Sequence, residues 1–195
     1  MGYQQTDEQL LESAARGETK AFQVLYERYR NPIFRFAYRM LGSAEAAEDV
    51  THDCFLSLIK EPGRFDADKA SFRTYLFAAA RNQSAKRYLN FDREAPLDDY
   101  SETFSTPDHH QPSQRVLDDE LAAEVRRAIA SLPPLQREAL VLFEYEDLSL
   151  AEIGAIVGAD SNTVKARLFR ARDKLRASLG RYFRIGRETA TVRRA

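Results

Sequence analysis

Between Leu148 and Leu175 the chain reads LSLAEIGAIVGADSNTVKARLFRARDKL, and this stretch constrains the fold more than any other. An apolar segment of about eight residues ends at Gly158, a three-residue turn follows, and a second amphipathic segment opens at Ser161 or Asn162 as its cap. Glycine supplies the left-handed residue that such a tight reversal needs. Ala151, Ile153, Ile156 and Val157 are expected to face one side of the crossing, with Val164, Leu168 and Leu175 on the other and Ala155 small between them. The pattern is a helix-turn-helix. The outer face of its second helix carries Lys165, Arg167, Arg170 and Arg172, types that reach phosphates and guanine edges in a major groove. Asn162 and Thr163, with the first free backbone N–H groups, stand where a helix N-terminus meets a phosphate.

The overall charge argues against such a partner: 29 Lys and Arg against 30 Asp and Glu, net −1. Resolved along the chain, that average dissolves. Residues 72–90 carry net +4 with no acid at all, and 161–195 carry net +9, whereas 43–71, 91–120 and 121–160 carry −4, −7 and −4. Two Arg-rich segments, each with helical periodicity, are the electrostatic footprint of a phosphate-binding surface.

The rest of the chain is also helical by pattern, and no strand or repeat is evident. Phe22, Leu25, Tyr29, Ile33 and Phe36 form one apolar stripe, which Pro32 should kink or briefly interrupt. Gly42 stops that helix and Ser43 caps the next, Ala44–Lys60, whose early acids suit a helix N-terminus. Glu61-Pro62-Gly63 breaks it, and Ser71 caps an amphipathic helix over Phe72–Leu89. In that helix Arg73, Arg81, Lys86 and Arg87 are interleaved with Phe72, Tyr75, Phe77 and Tyr88, a composition suited to stacking unpaired bases and neutralising their backbone. Phe77 is assigned to the core. Residues 91–118, with three prolines and few apolar side chains, read as a flexible acidic linker. Helical periodicity returns from Val116 to Ile129. Pro134 then opens the helix Leu135–Tyr145, and Ser149 caps Leu150–Val157. The expected architecture is therefore all-α: two small helical domains, 1–90 and 119–182, joined by the linker, with a basic tail at 183–195.

Other classes find little support. No run of about 18 apolar residues exists, so no membrane span is expected, and MGYQQTDEQL lacks the basic start and apolar stretch of a signal peptide. A single cysteine, Cys54, excludes an internal disulfide and a cysteine-based zinc cluster and fits a reducing cytoplasm. His109 and His110 sit side by side in the linker and do not make a metal site. No nucleophile–base pattern, phosphate loop or HExxH is present, so neither catalytic residues nor a cofactor are expected.

With these motifs in hand, the chain resembles the bacterial RNA polymerase sigma factors of the extracytoplasmic-function (ECF) class, over roughly residues 20–180. AFQVLYERYRNPIFRFAYRMLG is similar to the opening helices of sigma region two, AEDVTHDCFLSLIK to the polymerase-docking helix, and FRTYLFAAARNQSAKRYL to the promoter-melting helix. LPPLQREALVLFEYEDLSLAEIGAIVGADSNTVKARLFRARDKLR is similar to region four. The resemblance implies partners: core polymerase through its β′ clamp helices and β flap, promoter DNA, and an anti-sigma factor. It implies docking by Glu48, Asp49, His52 and Asp53, where the family commonly has Gln at His52; an acidic helix suits a basic partner surface. It implies −10 recognition by Arg73, Tyr75, Arg81, Asn82, Lys86 and Arg87, with the loop Gly63–Ser71 holding an extruded base. It implies −35 recognition by Asn162, Thr163, Lys165, Arg167, Arg170 and Arg172. The linker would thread toward the active-site and RNA-exit channels. The rival readings are a stand-alone helix-turn-helix regulator with an N-terminal helical sensor domain, and a small all-α enzyme with a DNA-binding tail. An acid-free basic aromatic helix at 72–90 has no purpose in a sensor, and no residue supports the enzyme.

Overall fold

The computed structural model describes residues 5–94 and 112–192. Among them are eight α-helices, α1 (Asp7–Ala15), α2 (Thr19–Leu41), α3 (Ala44–Lys60), α4 (Phe72–Glu94), α5 (Pro112–Ala130), α6 (Pro134–Glu144), α7 (Leu150–Val157) and α8 (Ser161–Val192), one 3-10 turn at Pro62–Arg64, and no strand. The all-α expectation holds.

Helices α1 to α4 form the N-terminal unit. The stripe on α2 is buried as its spacing demands, with Leu25, Tyr29, Ile33 and Phe36 inside. Phe36 meets Phe77 edge-on at 5.8 Å, and Tyr29 meets Phe72 at 5.4 Å. Phe77 is thus a core residue, as expected. Pro32 does not interrupt α2, which runs unbroken from Thr19 to Leu41. The hydrogen bond lost at one proline is offset by the packing of Tyr29, Ile33, Phe36 and Ala37 on both sides of it. Gly42 at φ +74° ends the helix and Ser43 caps α3 through the Ala46 N–H. Ser71 caps α4 through the Thr74 N–H.

Helix α1 lies before the first expected helix. Its signal is nevertheless local: Thr6 and Gln9 make a reciprocal capping box, and Asp7 accepts from Arg28 and from the Tyr29 hydroxyl of α2. Burial and the neighbouring Asp7 carboxylate push the Tyr29 phenol well above its usual range.

Helices α5 to α8 form the second unit. Pro134 opens α6, as its fixed φ suits. Ser149 and Glu152 make a second capping box at α7, and Gly158 at φ +65° ends that helix. The small residue at the crossing is Gly154 rather than Ala155. Gly154 is buried, and a Cβ there would stand 2.5 Å from the Ala159 carbonyl oxygen, whereas Ala151 and Ala155 are exposed. Val164 and Leu168 are buried against α7, with Leu175 packed at the edge. The cap of α8 is Asp160, not Ser161 or Asn162: its carboxylate accepts from the Asn162 and Thr163 N–H groups at 2.8 and 2.9 Å. Replacing Ser149 by alanine removes the hydroxyl that accepts from Glu152 N–H and is expected to lower stability by about 1 kcal/mol, read by chemical denaturation. The Glu152 carboxyl is held below its ordinary value by the Ser149 hydroxyl and N–H. Its contribution is therefore full above about pH 4.5 and fades as pH falls through the lowered value.

The expected linker is shorter than 91–118 at both ends, because α4 continues to Glu94 and α5 already starts at Pro112. The stretch between, with His109 and His110, lies outside the described residues. At the other end, the expected tail is helical as far as Val192. The two units also pack on each other, chiefly α4 on α7 and α2 on α5 and α6, so that their apolar interiors join into one cluster.

Candidate DNA-reading and docking surfaces

The acids of α3 lie on its outer side. Glu48, Asp49 and His52 are exposed and Asp53 is half-buried, with Leu56 and Ile59 exposed further along the same helix. Two of these acids already have a partner: Arg87 of α4 reaches Asp53 at 2.8 Å and Asp49 at 3.8 Å. Cys54 beside them is buried, and burial first, then the Asp53 charge, pushes its thiol up to about 12. It is a core side chain with no thiolate chemistry near neutral pH.

Helix α4 distributes its six candidate −10 residues over four environments. Asn82 and Lys86 are exposed. Tyr75 is half-buried, edge-on to Phe65 at 5.6 Å, and burial raises its phenol. Arg73 and Arg81 point into the second unit. Arg73 donates to the Glu146 carbonyl and lies over the Phe77 ring, and Arg81 Nε donates to Glu138 Oε2 at 3.0 Å. Arg87 sits on α3.

The helix-turn-helix divides likewise. Asn162, Lys165 and Arg170 face solvent. The Thr163 hydroxyl donates to Asp160 at 2.7 Å, and the Asn162 and Thr163 N–H groups are taken by the same carboxylate. Arg167 reaches Glu138 Oε1 at 3.3 Å, and Arg172 donates from Nε to Glu144 at 2.9 Å while lying over Phe143.

Three features escaped the sequence reading. Phe169 is 67% exposed in the third turn of α8, directly before Arg170 and one turn after Lys165; an aromatic ring placed between basic residues on a helical wheel is the available signal. Glu138, 4% exposed, holds Arg81 and Arg167 at once, one from each candidate DNA-reading helix. No spacing in the sequence announces a pairing across 57 residues. A groove of about 650 Å³ runs between α5, α6 and α8, lined by Val125, Ile129, Leu140, Leu175 and Leu179 and by the charged Glu144, Arg172 and Arg176. Among the described residues no group of His, Cys, Asp and Glu could hold a metal ion, and no helix is long and apolar enough to cross a membrane.

An all-helical chain with a basic, aromatic-bearing helix-turn-helix in one half, and an acidic helix beside a basic aromatic one in the other, defines a DNA-reading protein of transcription. The sigma-70 region 2 profile matches residues 25–93 and the sigma-70 region 4 profile residues 122–175. The RNA polymerase sigma-H factor of Pseudomonas aeruginosa is 32% identical over 184 residues, covering 90% of this chain and 95% of that protein. The ECF RNA polymerase sigma-E factor of Escherichia coli K12 is 34% identical with the same coverage. The structure of CnrH in complex with the cytosolic domain of CnrY superposes with a TM-score of 0.67 at 27% identity, covering 89% of this chain and 97% of that one. The chain belongs to the ECF class of the sigma-70 family of RNA polymerase sigma factors.

Proposed function

We propose that this sigma factor docks on core RNA polymerase through α3, reads the −35 element as duplex with α8, and captures the −10 strand on α4 as it melts. It works in the cytoplasm, without a catalytic site or cofactor of its own. Glu48, Asp49, His52 and Asp53 meet the β′ clamp helices, with Leu56 and Ile59 adding apolar area beside the acids. Asn82 and Lys86 are open to the −10 strand at once, and Arg73, Arg81 and Arg87 become available when their present partners leave. Asn can hydrogen-bond a base edge, and the Lys and Arg side chains neutralise the phosphate backbone of the strand. Binding energy for the unstacked strand then shifts the DNA toward the open state. The acidic linker, in this reading, enters a basic polymerase channel. The groove between α5, α6 and α8 takes an apolar segment of the β flap, and an anti-sigma factor covers these faces when transcription is not wanted.

The observation that carries the reading of α8 is the outward face formed by Lys165, Phe169 and Arg170, aromatic and basic side by side and open to solvent. Lys165→Ala is expected to cost about 1–3 kcal/mol at its own base position in the −35 element, read by run-off transcription from a panel of −35 variants with reconstituted holoenzyme. An unchanged promoter preference would reject the role. The protein as a whole is tested by co-elution with core polymerase and by specific run-off transcripts. A chain that binds duplex promoter DNA alone and stimulates no transcription would be the helix-turn-helix regulator instead.

A further inference from the structure

We propose that Arg87 is an exchangeable link between polymerase docking and −10 capture: the docking acids hold it in the free protein and release it to DNA when core polymerase takes them. The inference rests on the docking and −10 assignments of α3 and α4 given above.

Asp49 and Asp53 are four residues apart on α3, so both carboxylates fall on one helical face, and that face meets α4. Arg87 Nη2 lies 2.8 Å from Asp53 and 3.8 Å from Asp49. The Arg87 side chain is mostly covered, at 23% exposure, while those of Asp49 and Asp53 remain 61% and 42% exposed. A basic group of a docking partner can therefore approach the acids from solvent without first displacing anything else.

Charge decides the rest. With Arg87 seated between two carboxylates, its charge is cancelled for any phosphate passing α4, and the docking face is in turn one charge less acidic than its sequence suggests. A partially exposed ion pair is worth little against water, so exchanging it costs little. When basic side chains of the polymerase neutralise Asp49 and Asp53, the reason for Arg87 to stay disappears. It then stands one position from the exposed Lys86 on the proposed −10 face. The two binding events are coupled through one side chain, and the coupling is reciprocal: DNA that takes Arg87 leaves the acids barer for the polymerase.

A staple that merely joins α3 to α4 and an exchange residue predict opposite signs. Arg87→Gln is expected to tighten core binding by roughly two- to fivefold, since both acids are unmasked, while the resulting holoenzyme captures a single-stranded −10 oligonucleotide less well. Core affinity is read by titrating labelled full-length protein with core polymerase, and capture by anisotropy of a labelled oligonucleotide. Core affinity that is unchanged or weakened overturns the proposal. Asp53→Asn provides the second arm should Arg87→Gln fold poorly. The free protein should bind the oligonucleotide more tightly, with a log–log salt slope steeper by about 0.7, the share of one phosphate on a single strand. An unchanged affinity and slope count against the exchange. Asn82→Ala and Lys86→Gln separate the two levels of inference. If neither weakens capture by the holoenzyme, the −10 assignment of α4 fails. If both weaken it while Arg87→Gln fails to tighten core binding, that assignment stands and the exchange falls.

Discussion

Replacing Arg137 with alanine is expected to lower the stability of the whole chain by about 3–5 kcal/mol, the cost of breaking a buried charged hydrogen-bond set. Arg137 is 8% exposed, and its guanidinium donates to backbone carbonyls. Nη1 donates to Met40 at 2.8 Å, and Nη2 donates to Leu132 at 3.1 Å and to Ala130. Met40 lies in the last turn of α2 and Ala130 is the last residue of α5. Both are helix C-termini, where carbonyls lack intrahelical partners and the helix dipole favours a cation. One planar side chain thus satisfies two helix ends and the turn between α5 and α6. Alanine leaves those carbonyls without it, and that of Leu132 belongs to a buried residue. Lysine keeps the charge but cannot point in three directions from one plane, so Arg137→Lys should recover only part of the loss. Denaturant unfolding checks both. A loss below about 1 kcal/mol for the alanine variant would mean that water replaces the guanidinium freely. Domains of this size are stable by only about 5–15 kcal/mol, so the full effect would leave a large unfolded fraction.

Much of this molecule is local, and that part is legible in the sequence. Gly42, Ser43, Ser71, Pro134, Ser149 and Gly158 each act within four residues of themselves, and each ends or starts the helix expected of it. The errors have physical causes of the same scale. Pro32 is overruled by the core packed along its helix. Asp160 outcompetes the neighbouring Ser161 and Asn162 as the cap because a carboxylate accepts from two N–H groups at once. Ala155 is passed over for Gly154 because the close approach comes from the Ala159 backbone, which only a three-dimensional path reveals. Charge patterning located both basic helices and the acidic one. It did not show that Arg73, Arg81, Arg87, Arg167 and Arg172 would each have an intramolecular acceptor, since those partners lie 28 or more residues away.

Those acceptors make the near-zero net charge meaningful. Four of the candidate DNA-reading arginines, Arg81, Arg87, Arg167 and Arg172, are counterbalanced by acids at contact distance, not merely on average, and Glu138 is the centre of the arrangement. Its carboxylate, 4% exposed, bonds Arg81 from α4 and Arg167 from α8. It offers each guanidinium what a phosphate would offer, so under the proposed function promoter DNA and Glu138 would compete for the same donors. Beside it Arg73 donates to the Glu146 carbonyl, Arg39 lies over Tyr145 at 4.0 Å, and α4 packs on α7. This contact face sets α4, the proposed −10 helix, against α7, which supports the proposed −35 helix. Glu138→Gln keeps the shape and one acceptor oxygen but removes the charge both arginines need. Breaking a buried pair costs about 3–5 kcal/mol, and the retained amide oxygen places the expected loss near the lower figure, about 3 kcal/mol against the packed arrangement. The expected result is a free protein with a larger radius of gyration in solution scattering. It should bind promoter DNA without polymerase about tenfold more tightly or better, with a steeper salt dependence because two more arginines can release counterions. If the variant instead keeps its radius and its weak DNA binding, and loses only thermal stability, Glu138 serves the internal packing of the second unit. The arginines would then owe their silence to something other than this acid.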